Sequence, residues 1–406
     1  MPNIIHSGGG VNIMTLPDQI TNLACVGGTD GTAGTIDVSF TEVPASSWSL
    51  LQNYLLVYKA GSIPQTPFDG MRVVLPKGTA GAQKTYQITG LTYNQLYGVR
   101  IYPVSVKNQY QTSAEGATAA VTPVAGIDAG TLTVELKIAI PVKLEYQSKL
   151  GAEIIWKVAD QNHSGYPANS TSLISDNIIA MLAFDSREPS NSNKNRQDCG
   201  NNRYSVCNQL QWLNSSAADG QWYSAQHAYD APPEYAGVSV NPYDAWAGFL
   251  HMLDDEFVAS LLDTTVIVAK NTETDGGGSE TVTAKMHLPS TTEVGCENEN
   301  GIAEGSKLAL FSGDASRKAY LTQEALNTSH YTPKPTISTP WQYLLRTPRV
   351  TTTYHLQVIS TSGALTTSGN LAYYGYEGIR PICNISSTFK LKTQPRGDGC
   401  YEPLWV

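Results

Sequence analysis

The sequence predicts a multidomain, β-rich chain in which an all-β sandwich is followed by a larger α+β unit. Three observations carry this. The 406 residues exceed the roughly 100–200 residues of one ordinary domain. Between residues 16 and 124, runs with strand chemistry recur between turn signals. From about residue 141 to residue 406, strand-like runs alternate with stretches whose apolar residues fall at helical spacing.

Residues 1–15 hold the triplet Gly8-Gly9-Gly10 and little to bury, so they are expected to form a tail or docking strand. The strands of the first unit are expected in "TIDVSF", "NYLLVYKA", "KTYQITGL", "YGVRIYPVSV" and "ATAAVTPV". In the first of these, Ile36, Val38 and Phe40 alternate onto one face. The Gly-rich "GGTDGT" is followed by no helix, so it is expected to form a hairpin turn and not a phosphate cradle. Leu91 precedes Tyr97 by six residues, the spacing of a tyrosine corner. The series "LPDQITNLAC…TIDVSF…LQNYLLVYKA…YQITGLTYNQLYGVRIYPVS…TAAVTP" resembles a fibronectin type III domain over nearly all of 16–124. Phe40 stands where that family usually has Trp. The resemblance implies a spacer or binding scaffold.

Residues 125–140 are expected to be a connector passing into a strand. Beyond it, "AEIIWKVADQNH" predicts a strand, and "SLISDNIIAMLAF" a strand or short helix. Val206, Leu210 and Leu213 have helical spacing. Phe249, Leu250, Leu253, Phe257 and Leu261 form an apolar stripe on a helix expected to break near Asp254. A β-hairpin is predicted around Asp275-Gly276-Gly277-Gly278. Ser290 and Glu293 have the spacing of a capping box on a short helical turn.

Four elements of the second unit occur in a telling order: "NNRYSVCNQLQWLNS", "AKMHLPSTTEVG", "WQYLLRTP" and "YYGYEGIRPICNI". Together they resemble a phage and bacterial domain of unassigned function. That domain resembles in turn the C-type-lectin fold of formylglycine-generating enzymes and of the variable proteins of diversity-generating retroelements. The resemblance implies a framework around a displayed segment, here 349–376. Departures include Leu344-Leu345, Thr347 and Cys383.

Composition narrows the function. A net charge of −9 argues against a nucleic-acid partner, whose affinity comes largely from Lys and Arg meeting phosphates. No apolar run approaches the ~20 residues of a membrane helix, and the first residues lack a secretory signal pattern. The 22 Tyr against 7 Phe suit either recognition surfaces or ordinary strands. The six cysteines include no CxxC, so free thiols are expected, with Cys199 and Cys207 the nearest pair in an oxidising medium.

Catalytic and metal signatures are sparse. Glu188-Pro189-Ser190 lacks the Asn of a lectin calcium motif, and Asp254, Asp255 and Glu256 diverge on a helix. His227 and His251 lack zinc spacing. No G-x-S-x-G elbow or Walker loop occurs. A formylglycine-generating activity would need paired reactive cysteines in a cleft, for which Cys296 and Cys383 are the candidates. Arg396-Gly397-Asp398 matches an integrin tripeptide but is expected to be a turn. No catalytic residue, metal or cofactor is therefore expected.

Binding remains. The residues expected to touch a receptor are Tyr343, Arg349, Thr351, Thr352, Thr353, Tyr354, His355, Val358, Ser360, Thr366, Thr367, Asn370, Tyr373, Tyr374 and Tyr376. Trp212, Trp341, Arg346 and Arg380 are expected to form the scaffold, through cation–π stacks or buried bidentate pairs. The functional expectation is a phage tail-tip or tail-fibre protein in the virion. It would bind a host-surface glycan or protein, dock on other tail or baseplate proteins, and act as a homo-oligomer. The alternatives are a structural virion component and a formylglycine-generating-like or glycan-cleaving enzyme.

Overall fold

A computed structural model of the chain describes residues 16–27, 34–91, 95–111, 116–120, 126–233, 241–299, 301–366 and 370–404. The tail 1–15, most of the turn expected in "GGTDGT" and Thr367 lie outside the described residues. The chain divides into two compact units, Met1–Gly126 with Leu404–Val406, and Ile127–Pro403.

The first unit contains β1 (Thr21–Gly27), β2 (Ile36–Thr41), β3 (Leu51–Ala60), β4 (Met71–Pro76), β5 (Gln83–Ile88), β6 (Leu96–Ser105) and β7 (Gly116–Ala120). They form two antiparallel sheets, β1-β2-β5 and β4-β3-β6-β7. Residues of both sheets share one core, among them Phe40, Tyr54, Leu56 and Ile101, each fully buried. The alternation of Ile36, Val38 and Phe40 is realised, since all three enter that core. Tyr54 makes an edge contact with Phe40 at 5.1 Å, and its hydroxyl accepts a hydrogen bond from the Val43 N–H at 3.1 Å. Gly34 has φ +66°, and a Cβ there would lie 2.2 Å from the Leu91 carbonyl oxygen. Only glycine allows that close approach.

The second unit begins earlier than expected. Residues 127–140 do not link the units; they hold β8 (Ile127–Asp128) and most of β9 (Lys137–Pro141). Ile138 and Ile140 are fully buried, so this stretch belongs to the second core. There follow β10 (Glu153–Gln161), β11 (Ser170–Ser175), β12 (Ala180–Met181), β13 (Thr264–Ala269), β14 (Ser279–Ala284), β15 (Met286–His287), β16 (Ala319–Tyr320) and β17 (Pro340–Trp341). The last strands are β18 (Tyr343–Pro348), β19 (His355–Ile359), β20 (Asn370–Leu371), β21 (Gly378–Ile379), β22 (Ile382–Ser386), β23 (Lys390–Leu391) and β24 (Cys400–Tyr401). Two larger sheets, β15-β22-β11-β10-β9-β24 and β12-β21-β18-β19-β20, dominate. Ala159, Ile174 and Ile382 of the first meet Met181, Tyr343, Leu345 and Ile359 of the second in a single apolar cluster. Burying each large apolar side chain there contributes about 1.5–3 kcal/mol.

The helices are shorter than an α+β reading implies. Among the described residues, each α-helix spans four to six residues, as in α1 (Gln147–Leu150), α2 (Lys194–Cys199) and α3 (Asn208–Leu213). The apolar stripe around Phe249 splits into α4 (Phe249–Met252) and α5 (Asp255–Ser260). Asp254 divides them because its carboxylate accepts the N–H groups of Glu256 and Phe257 at 2.9 and 3.1 Å. The unit is thus mostly sheet with single helical turns. The hairpin around Gly276 forms between β13 and β14. The capping box also forms: the Ser290 N–H reaches Glu293 Oε2 at 3.0 Å, and the Glu293 N–H reaches Ser290 Oγ at 3.1 Å. All six cysteines are unbridged. Among the described residues, no helix is long and apolar enough to cross a membrane.

Candidate binding surface

The 349–376 segment is held by framework residues on either side. Arg346, on β18, is fully buried. Its guanidinium donates to Glu293 Oε2 at 2.6 Å and Oε1 at 2.7 Å, and to the carbonyls of Leu288 and Glu304 at 2.8 and 3.0 Å. Burial raises the Glu293 carboxyl's pKa, and Arg346 more than offsets this, leaving it below the usual carboxylate value. Arg380 is also buried; its Nε donates to the Ser175 carbonyl at 2.9 Å, and its Cζ lies 5.4 Å from the Tyr343 ring centroid. Trp212 is buried and donates to the Ala247 carbonyl at 3.0 Å. Trp341 is half-buried and donates to the Tyr376 carbonyl at 2.8 Å.

Asn202, from the "NNRY" element, pins the start of the segment. Its buried amide donates to the carbonyls of Thr352 and His355, both at 2.9 Å. A backbone bond from the Ala372 N–H to the Tyr354 carbonyl at 2.9 Å ties the start to the end. Arg349 is paired with Glu299 at 2.9 Å. Burial, then Arg349, lowers the pKa of His355.

Three of the expected contact residues cannot touch a receptor. Tyr343 and Val358 are fully buried and Thr353 nearly so. Alternation exposes one face of a strand only where that face is solvated. Here β18 lies between β21 and β19, and β19 between β18 and β20. Every residue of β18 is buried, as is every residue of β19 after His355. Tyr343 therefore serves the core beside Leu345 and Ile359. Thr351 is exposed, and Arg349, Thr352, Tyr354, His355, Ser360, Thr366, Asn370, Tyr373, Tyr374 and Tyr376 are half-buried.

The tyrosines after β20 form a connected ridge. Ring centroids of Tyr373 and Tyr374 are 4.9 Å apart, those of Tyr374 and Tyr376 4.8 Å, and those of Tyr376 and Tyr331 4.8 Å. Trp341 continues the row 6.0 Å beyond Tyr331. At the other end the Arg187 guanidinium stands 4.2 Å from the Tyr373 ring centroid. The turn beneath is fastened by Asn241, whose buried amide donates to the carbonyls of Gly375 and Met181 at 2.7 and 2.6 Å. Burial pushes the pKa values of Tyr374 and Tyr376 up, so both hydroxyls stay protonated and can donate or accept. Half-buried rings with polar tips give contact area at low entropic cost. Tyr331 and Arg187 were not singled out from sequence; only spatial proximity joins them to residues far along the chain.

Other sequence signals have local explanations. Glu188 is buried, with His227 Nε2 3.2 Å from its Oε1 and the Asn191 amide bonded to its Oε2. Arg396 pairs with both Glu153 oxygens at 2.6 Å and with Asp398 at 2.6 Å, so the tripeptide forms a closed turn. Among the described residues, no group of three or more His, Cys, Asp or Glu side chains gathers in a way that could hold a metal ion.

The family model described as "Domain of unknown function (DUF6273)" matches residues 169–387, more than half of the chain. The chain belongs to this family. The DUF6273 match embraces Asn202, Glu293, Arg346, the ridge tyrosines and Arg380. No curated protein matches the DUF6273 chain. Among solved structures, it is similar to the FN3 domain of human collagen XX, at 21% identity and a TM-score of 0.19 over 27% of this chain and 99% of that one. It is also similar to the FN5 domain of Drosophila Lar, at 12% identity and a TM-score of 0.18 over 26% of this chain and 98% of that one.

Proposed function

We propose that this DUF6273 chain is a phage tail-tip or tail-fibre protein that binds a host-surface receptor non-covalently through the aromatic ridge. The observation that carries the reading is the ridge itself: five half-buried rings in series, ended by a guanidinium, three of them on a turn fixed by the buried Asn241 amide. Such anchors on a rigid base carry most of the energy of recognition interfaces. The second unit is read as C-type-lectin-like from the order of its four sequence elements, and the first as a fibronectin type III-like spacer. Several copies in one particle would make weak contacts strong through effective concentration.

Within this reading, codons in 349–376 vary between related particles while Thr353 and Val358 stay fixed by their burial. A near-identical template repeat and a reverse transcriptase gene beside this one would support that refinement; a neighbourhood with neither would remove it.

Replacing Tyr373, Tyr374 and Tyr376 together by Ala tests the ridge. At on the order of 2 kcal/mol per anchor ring, adsorption to host cells should weaken at least about 100-fold. The melting temperature should hardly move, because all three rings are half-exposed. Unchanged adsorption by a folded triple variant would discard the ridge as the receptor site.

A further inference from the structure

Away from the ridge, two side chains at the end of β10 and a third 143 positions along the chain make a hydrogen-bonded relay. Asp160 lies near the end of β10, where the ladder to β11 is bulged. Its carboxylate is fixed by the Gln161 N–H at 2.8 Å and the Ala309 N–H at 3.2 Å. Asp160 Oδ2 sits 2.7 Å from His163 Nδ1, and His163 Nε2 sits 3.2 Å from Ser306 Oγ. A carboxylate only accepts, so Nδ1 carries the ring proton and Nε2 presents a lone pair to the serine. Ser306 Oγ has a second acceptor within reach, the Ser164 carbonyl at 3.3 Å.

The exposures suit a working base and nucleophile. The His163 side chain is 2% exposed, whereas Ser306 faces solvent. The imidazole is held edge-on by Tyr166 at 4.6 Å, and the Tyr166 hydroxyl donates to Glu293 Oε1 at 2.7 Å. The serine loop rests on the same buried pair. Arg346 and Ser290 Oγ both donate to the Glu304 carbonyl, at 3.0 and 2.9 Å. Gly305 has φ +99°, and a Cβ there would lie 3.2 Å from Glu293 Oε1. Glycine thus lets the chain turn over the ion pair immediately before the serine.

We propose that Ser306 is a nucleophile activated by His163, with Asp160 as the positioning residue, and that the site accepts acyl groups from small esters. Such an arrangement is recognised by geometry and roles, not by residue order or a surrounding motif. Ser306 Oγ bonds to the ester carbonyl carbon as its proton passes to His163 Nε2. The carbon–alkoxy bond breaks, and the alcohol leaves with that proton. Water then adds to the acyl-serine, gives a proton to Nε2, and the serine takes it back as the carboxylic acid departs. This activity is independent of receptor binding, and its test does not measure adsorption.

The full chain, treated with a fluorophosphonate probe, should gain one phosphonyl group on Ser306 with loss of fluoride, read by intact mass and peptide mapping. Ser306→Ala should abolish the adduct with an unchanged melt, since the side chain is exposed. His163→Gln and Asp160→Asn should slow labelling about 100-fold or more. For Asp160→Asn the limiting rate should fall while the half-saturating probe concentration holds, a split that general loosening would not give. Absence of a Ser306 adduct on the folded wild-type chain overturns the proposal. So does labelling at the same rate in a folded His163→Gln or Asp160→Asn variant.

Discussion

Arg346→Met should lower the stability of the second unit by about 3–5 kcal/mol, the cost of leaving one member of a buried ion pair alone. Glu293 is fully buried, and Arg346 supplies both of its charged contacts. Removing the guanidinium also deprives the Leu288 and Glu304 carbonyls of donors at 2.8 and 3.0 Å. Glu293→Gln should cost a comparable amount by stranding the cation. The double substitution Arg346→Met with Glu293→Gln should cost clearly less than the two singles added, because no buried charge is left unpaired. Trp156, Trp212, Trp222, Trp246 and Trp341 all lie in this unit, so its urea transition can be followed by their fluorescence. A single-variant loss below about 1 kcal/mol, or strict additivity, would show that the buried pair does not hold the unit together.

That ion pair also marks where sequence reasoning stopped. Alternation at Ile36, Val38 and Phe40, the Asp254 break and the Ser290–Glu293 capping box are local patterns, and each is formed. Glu293 was legible as a capping residue through Ser290, three positions away, but its partner Arg346 is 53 positions distant. The expected binding face was partly legible for the same reason. Period-two alternation separates two faces of a strand without saying whether both are covered. Tyr343 and Val358 fall on strands whose consecutive residues are buried, so both faces are covered and both residues are core. Tyr331 joins Tyr376, and His163 meets Ser306, across 45 and 143 positions. No spacing rule reaches so far.

Glu377→Gln should raise stability in mildly alkaline solution and leave it unchanged near pH 4.5. Glu377 is fully buried, with Gln342 Nε2 donating to its Oε1 at 3.0 Å and its Oε2 without a hydrogen-bond partner. Burial pushes its pKa up from 4.5 to about 8. The sign follows from proton counting. Between pH 4.5 and about 8 the folded chain holds a proton that the unfolded chain has lost. Stability therefore falls as pH rises through that window and is fully restored below it. At about 1.4 kcal/mol per pH unit, the penalty near pH 8 is on the order of a few kcal/mol. Gln keeps the Oε1 acceptor for Gln342 and cannot ionise, so the variant escapes that penalty. His287 acts in the opposite direction: burial lowers its pKa to about 4, so stability is lost as pH falls from 6.5 towards 4. That contribution is common to wild type and variant and cancels in their difference. Urea unfolding of both proteins at pH 4.5, 6.5 and 8.5 should give a gain that grows with pH. A gain independent of pH would mean that Glu377 acts through packing and not through its charge, and a loss at pH 8.5 would mean that the carboxylate is ionised and paired in the folded chain.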